Sequence, residues 1–212
     1  MAKEHKKQRH AKNMENPVEE ALLDVAIMVS RQGKGCLLVI GNFKEGKNKD
    51  YVCHFPNFFA NGNFYVRDKG MREALANLST IDGAVIVEPN GRIAAYGARI
   101  LHTATDRGHG TRHSAAKGAS LKGDISILAS EQAKIVRIYR DGAKVMEIDP
   151  FTKDIEKKVP KIVRVLESPE TVGVIAGAAA MPIVGVPGVI IFAGSYLLSK
   201  KIIGMVKQIE FK

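Results

Sequence analysis

Val18, Leu22, Val25 and Val29 recur at three- and four-residue spacing, which lays one apolar stripe along a helix. Asn16 is placed to cap that helix, Pro17 suits its first turn, and Glu19 and Glu20 complement the positive end of its dipole, so the pattern predicts a helix that ends near Gly33. The period then changes. Cys36 to Ile40 is a short unbroken apolar run, long enough for a buried strand and too short for a helix. Lys44 to Lys49 read as a charged loop and Asp50 to Phe55 as a second strand with imperfect alternation. Phe58, Phe59, Phe64 and Tyr65 surround the turn dipeptide Asn61-Gly62. Met71 to Leu78 predict a short helix. Asn90-Gly91 joins Ala84–Val87 to Ile93–Tyr96 as a hairpin, and Asp141-Gly142 joins Ile135–Tyr139 to Val145–Ile148 as another. Between the hairpins, Thr111 to Lys122 read as a helix that follows a glycine-flanked loop, and Ile125 to Leu128 as one more buried strand.

Helices interleaved with hairpins imply an α/β (α+β) domain, a mixed β-sheet surrounded by helices, and argue against a purely parallel doubly wound sheet. This unit is expected over residues 15–150, after a basic disordered tail at 1–14. Pro150, Pro160 and the charged stretch Lys153 to Lys161 mark a linker over 151–170. Residues 171–212 are expected to form an apolar, glycine-rich helical segment. From Thr171 to Leu198 no charge occurs, a length beyond the roughly 20 apolar residues of a membrane span. Basic residues on both sides (Lys157, Lys158, Lys161 and Arg164 before, Lys200, Lys201 and Lys207 after) favour a re-entrant hairpin with both ends cytoplasmic. The other expectation for this segment is a pair of short apolar helices packed on the domain or on another subunit.

Composition adds bounds. With 212 residues and 45% apolar side chains, the chain is able to bury one full core with some length to spare. Its 32 Lys and Arg against 22 Asp and Glu give a net charge of +10 and an affinity for polyanions. Part of that charge lies in the tail, on Lys3, Lys6, Lys7, Arg9 and Lys12. The rest is scattered, there is no Trp, and the aromatics gather in one turn-rich segment without an RNA-binding motif, so no specific nucleic-acid partner is expected. Cys36 and Cys53 sit in apolar or aromatic surroundings and read as reduced core residues, which excludes a disulfide framework and a CxxC metal site. The basic N-terminus leads into Glu-rich sequence instead of an apolar run, so no signal peptide and a cytoplasmic location are expected, at the inner face of the membrane if 171–198 makes contact with it.

The informative segment for chemistry is Gly108-His109-Gly110-Thr111-Arg112-His113-Ser114-Ala115-Ala116, where flexible backbone gives way to a helix start. Unpaired amides at a helix N-terminus suit an anion, and here a hydroxyl, a guanidinium and an imidazole join them. By composition alone the segment reads equally well as capping plus a surface charge. Asp82-Gly83-Ala84, taken alone, reads as a turn before a strand.

Together the two motifs say more. Helix, glycine, apolar strand, then Asp82-Gly83-Ala84 followed by Val85-Ile86-Val87, then Gly110-Thr111-Arg112-His113 followed by Ser114-Ala115-Ala116, closely resembles the diadenylate cyclase domain family over about Glu20 to Glu131. The variant is the archaeal-like one, with GTRHS in place of GTRHR. The resemblance implies a mixed sheet surrounded by helices, ATP as substrate, Mg²⁺ or Mn²⁺ as cofactor, and condensation of two ATP into cyclic di-AMP and two pyrophosphates between two facing domains of a homo-oligomer. It implies that Asp82 organises the metal and the attacking ribose hydroxyl, with Glu131 assisting the metal. Gly83 and Ala84 are expected to let backbone approach the nucleotide. Thr111, Arg112 and His113 are expected to contact the phosphates, Arg112 with forked hydrogen bonds, while Gly110, Ser114 and Ser130 are expected to line the ATP site and Ile100 to lie against adenine. Ser130-Glu131 matches a Ser-Glu pair of bacterial relatives. Arg112 and His113 join Asp82 as catalytic candidates, His113 through phosphate contact in preference to proton transfer. Plain core packing for Ile100 and an exposed loop position for Glu131 stand beside these roles.

Two departures matter. Ser114 occupies the place of a second arginine, so charge neutralisation must come from elsewhere, with Lys117 or a metal as the candidates, and Gln132 stands where a second acidic residue is common. The alternative function is an ATP- or cyclic-dinucleotide-binding regulatory module that kept the fold without turnover.

Overall fold

The computed structural model describes residues 16–43, 50–104, 110–167, 181–183 and 186–192. The tail at 1–14, the charged loop at 44–49 and much of 171–212 lie outside the described residues. Helix α1 (Pro17–Arg31) opens as its capping pattern predicts, with the Asn16 side chain accepting from the Glu19 amide at 3.3 Å. Strand β1 (Cys36–Ile40) follows, then β2 (Tyr51–Cys53), helix α2 (Met71–Leu78), β3 (Ala84–Val87), β4 (Ile93–Ile100), helix α3 (Thr111–Ser120), β5 (Ile125–Ser130), β6 (Ile135–Arg140), β7 (Ala143–Ile148), helix α4 (Ile155–Glu167), β8 (Met181–Ile183) and β9 (Val186–Ile191).

The strands form one sheet in the order β2-β4-β3-β1-β5-β6-β7-β9-β8. It is mixed, as expected: β1 and β3 run parallel, and the other neighbouring strands pair antiparallel. Strand β1 is central and buried on both faces, which is why Cys36 to Ile40 show no alternation. Cys36, Leu38 and Ile40 face the larger core with α1, α2 and α4, whereas Leu37 and Val39 face Ala116 and Ala119 of α3 on the opposite side. So three helices cover one face and α3 alone covers the other. Both cysteines are free thiols, and burial pushes that of Cys36 up to about 11.

Several boundaries differ from the pattern. The segment Asp50 to Phe55 yields only the three-residue edge strand β2. Strand β4 continues past Tyr96 to Ile100 because Gly97, at φ +55°, lets the chain pass an irregularity in its pairing with β3. Pro160 does not end a helix. It lies exposed within α4, while Ile155, Val159, Ile162, Val163 and Leu166 bury one face against the core that includes α1. The helical expectation for the C-terminal apolar segment is corrected where it is described: β8 and β9 are strands, and β9 pairs with β7 through Met146, Glu147 and Ile148. The β-branched run Val186, Val189, Ile190 and Ile191 suits a pleated surface, and Gly188 at φ +75° supplies a backbone conformation that no regular helix uses. Among the described residues no helix is long and apolar enough to cross a membrane.

Candidate nucleotide site

The parallel pairing of β1 with β3 and the antiparallel pairings of β4 and β5 set four chain ends along one edge of the sheet. There β1 and β3 begin while β4 and β5 end, since Leu37 pairs with Ala84, Ala84 with Ala98, and Cys36 with Ala129. Helix α3 starts over the same edge. Gly118 lets it lie close, because a Cβ there would overlap the carbonyl of His102 and the backbone of Thr103. The fold thus brings Asp82-Gly83-Ala84, about thirty residues away in sequence, to the first turn of α3.

Two adjoining cavities occupy this edge and share Asp82, Thr111 and Arg112. The first, of about 360 Å³, has an apolar wall of Leu37, Ala84, Ala98, Ile100 and Ala115, with Gly83, His54, Arg99 and Thr103 completing it. The second, of about 270 Å³, is lined by Gly110, His113, Ser130, Glu131 and Gln132 besides the shared residues. All the site residues nominated from the sequence reach one cavity or the other except Ser114, which lines neither. Its backbone carbonyl instead accepts from the Ala104 amide at 3.0 Å. Lys117 likewise lines neither.

The local reasons are specific. Gly83 has φ +105°, and a Cβ on it would come within 2.5 to 2.9 Å of the backbone of Gly97 and Ala98, so close packing on β4 requires glycine there apart from any ligand. Gly110 precedes α3 in extended conformation without a side-chain cap among the described residues, and Gly110 to His113 line the second cavity. Ser130 is buried and its hydroxyl accepts from the Ala133 amide at 3.3 Å, which closes the turn carrying Glu131. Asp82 and Glu131 are both exposed on the cavity.

Some contributors lie outside the two sequence motifs. Arg112 packs over Gly35, where a Cβ would stand 2.7 Å from Nη1, 3.3 Å from the Ala129 carbonyl and 3.4 Å from the Glu131 Cβ. Arg137 on β6, only 8% exposed, meets His113 Nε2 at 2.5 Å and Glu147 at 2.8 Å. Its signal was present as a charge inside the apolar run Ile135 to Tyr139. His54, Arg99 and Thr103 carried no such signal.

The donor set suits a divalent cation held jointly with phosphate. Mg²⁺ takes one or two carboxylates and completes its shell with phosphate and water oxygens, and Asp82 and Glu131 wall one cavity beside phosphate-suited donors. Among the described residues no cluster of three or more His, Cys, Asp or Glu forms a metal cage by itself.

Residues 23–144 match the family described as DisA bacterial checkpoint controller nucleotide-binding. A diadenylate cyclase of Methanocaldococcus jannaschii is 30% identical over 141 residues, covering 61% of this chain and 44% of that protein. A diadenylate cyclase of Haloferax volcanii is 29% identical over 143 residues, covering 61% of this chain and 51% of that protein. The chain therefore spans about half the length of these relatives. Among solved structures, a double-cysteine mutant of DacA from Staphylococcus aureus aligns with a TM-score of 0.47 at 19% identity, covering 68% of this chain and 94% of that one.

Proposed function

Since this chain belongs to the DisA-type nucleotide-binding family of diadenylate cyclases, we propose that it condenses two ATP molecules into cyclic di-AMP and two pyrophosphates. The observation that carries the reading is the meeting of an apolar-walled cavity and a donor-rich one at Asp82, Thr111 and Arg112. The first suits an adenine, with Ile100 and Leu37 against its face. The second suits phosphates, which Arg112 grips by forked hydrogen bonds while the first amides of α3, Thr111 and His113 add donors. Asp82 stands at the junction, where the ribose and the α-phosphorus of a nucleotide spanning both cavities fall.

In the proposed reaction the ribose 3′-hydroxyl of each nucleotide attacks the α-phosphorus of the other. Each attack forms an O3′–P bond and breaks the bond from the α-phosphorus to pyrophosphate, so two displacements give one cyclic product. Such displacements depend on alignment and charge stabilisation more than on proton shuttles. Asp82 and Glu131 would hold Mg²⁺ or Mn²⁺, which, when bound, neutralises charge on the phosphates. Gly83 keeps the Asp82 turn tight against β4 and so fixes where that carboxylate stands. One chain supplies one nucleotide seat, so a second copy facing it completes the active unit.

The test is to incubate the purified full chain with ATP and Mn²⁺ or Mg²⁺ and resolve the products. Cyclic di-AMP and pyrophosphate in a ratio of one to two support the reading. Tight ATP binding without product would favour the regulatory-module alternative, to which the serine at position 114 gives its one specific support.

A further inference from the structure

A charged relay lies behind the site and has no part in the reading above. Arg137 emerges from β6 beside Leu128 of β5, on the sheet face that α3 covers, and its guanidinium is almost wholly buried. Nε donates to Glu147 Oε1 of β7 at 2.8 Å, and the same carboxylate oxygen accepts from Lys144 Nζ at 2.8 Å. Despite its partial burial, Glu147 is held below the usual carboxylate range by Lys144 and Arg137, so it is firmly ionised at neutral pH. A second arm of Arg137, Nη1, reaches His113 Nε2 at 2.5 Å. An arginine carries only donors and stays charged in proteins. For this contact to be a hydrogen bond, His113 Nε2 must present its lone pair, and the ring proton must reside on Nδ1.

We propose that Arg137 is a positioning residue for the nucleotide site: anchored by Glu147, it holds the His113 imidazole neutral with its proton on Nδ1, so that His113 serves the phosphates as a fixed hydrogen-bond donor. The role assigned to His113 rests on the nucleotide reading of the cavity, whereas the tautomer itself does not. Two consequences follow from charge and geometry. An imidazolium at His113 has no lone pair for Arg137 and would set a second positive charge against it, which disfavours His113 as a proton carrier through Nε2. Also, Lys144, Glu147 and Arg137 together keep one net positive charge directly behind the first turn of α3, adjacent to the helix in which a serine replaces the arginine expected at position 114.

The experiment is long-range ¹H–¹⁵N correlation on the histidine-labelled full chain, with the His113 ring assigned by its loss in His113→Gln. The expected wild-type pattern is a protonated Nδ1 and a bare Nε2 at neutral pH. Arg137→Lys, which still donates, should keep that pattern, while Arg137→Met should give a mixture of tautomers and weaken ATP binding by about tenfold, the scale of one charge-assisted hydrogen bond. A wild-type ring protonated on Nε2 overturns the proposal. So does an unaltered tautomer with unaltered ATP affinity in Arg137→Met. If Arg137→Met fails to fold, the wild-type and Arg137→Lys ring spectra decide alone. Should the full chain bind no ATP at all, the ring spectra still test the Arg137 contact, and only the nucleotide reading falls.

Discussion

Gly35 and Arg112 are 77 positions apart in sequence and in contact in space, and their relation is a sharp residue-scale test. A methyl group at Gly35 meets mainly the end of a flexible side chain, so Gly35→Ala should leave stability within about 1 kcal/mol. It should still displace the guanidinium and weaken ATP binding by about tenfold, the worth of a charge-assisted contact. In an Arg112→Ala background the same change should do nothing more; full additivity in calorimetric affinities would show that Gly35 acts elsewhere. Asp124 gives a second test. Burial, with help from Asp50, raises its carboxyl from 3.8 to about 6, against the opposing pull of the Asn42 amide and Lys122. A folded pKa above the unfolded one means a contribution fully present below pH 3.8 and lost as pH rises through 6. Asp124→Asn should therefore match the wild type at pH 4 and exceed it at pH 8 by about 1 kcal/mol, after discounting for a half-exposed group. Equal melting temperatures at both pH values in both proteins would refute this. At this scale the contiguous motifs were legible because each is written within a few residues. Gly35, Arg137, His54 and Arg99 were not, because only the sheet pairing brings them to α3.

Besides its apolar face, helix α1 is tied to the sheet by a buried ion pair. Glu19, 3% exposed, accepts from Arg140 Nη2 at the end of β6 at 2.5 Å, and burial raises its carboxyl even against the pull of that arginine. Removing the arginine leaves an uncompensated buried carboxylate. Arg140→Ala should cost about 3 kcal/mol at pH 7. The deficit should shrink toward pH 5, since Glu19, its carboxyl raised further without Arg140, becomes neutral as pH falls. A deficit that is constant in denaturant unfolding across that range would point to lost packing instead. Elements with a local signature were legible: the Asn16 cap and the apolar stripe define α1, and the Asp141-Gly142 turn defines the β6–β7 hairpin, both short in range. The strands β8 and β9 were not, because a Val-, Ile- and Gly-rich run has no period that separates strand from buried helix; pairing with β7 decides. Pro160 misled for a similar reason. Its position on the solvent side of α4 depends on which face the rest of the helix buries.

At the scale of the molecule, the site sits where four strand ends and one helix start converge, and that edge has half of what the proposed reaction needs. Activity should therefore rise more than in proportion to protein concentration at high dilution, and specific activity should fall as a facing pair dissociates. Constant specific activity well below the dissociation constant measured by ultracentrifugation would show that one chain suffices. The fold class was legible because alternating helical and hairpin patterns admit few layer arrangements; which edge carries the site was not, since that follows from the parallel β1–β3 pairing. Asp82 ties these scales together, as the one acidic residue on both cavities. The most direct measurement compares cyclic di-AMP formation by the wild type and Asp82→Asn, with melting temperature recorded for both. The account predicts an unchanged melting temperature, because Asp82 is exposed, together with a loss of product formation of about 100-fold or more; near-normal turnover by the folded variant would contradict it.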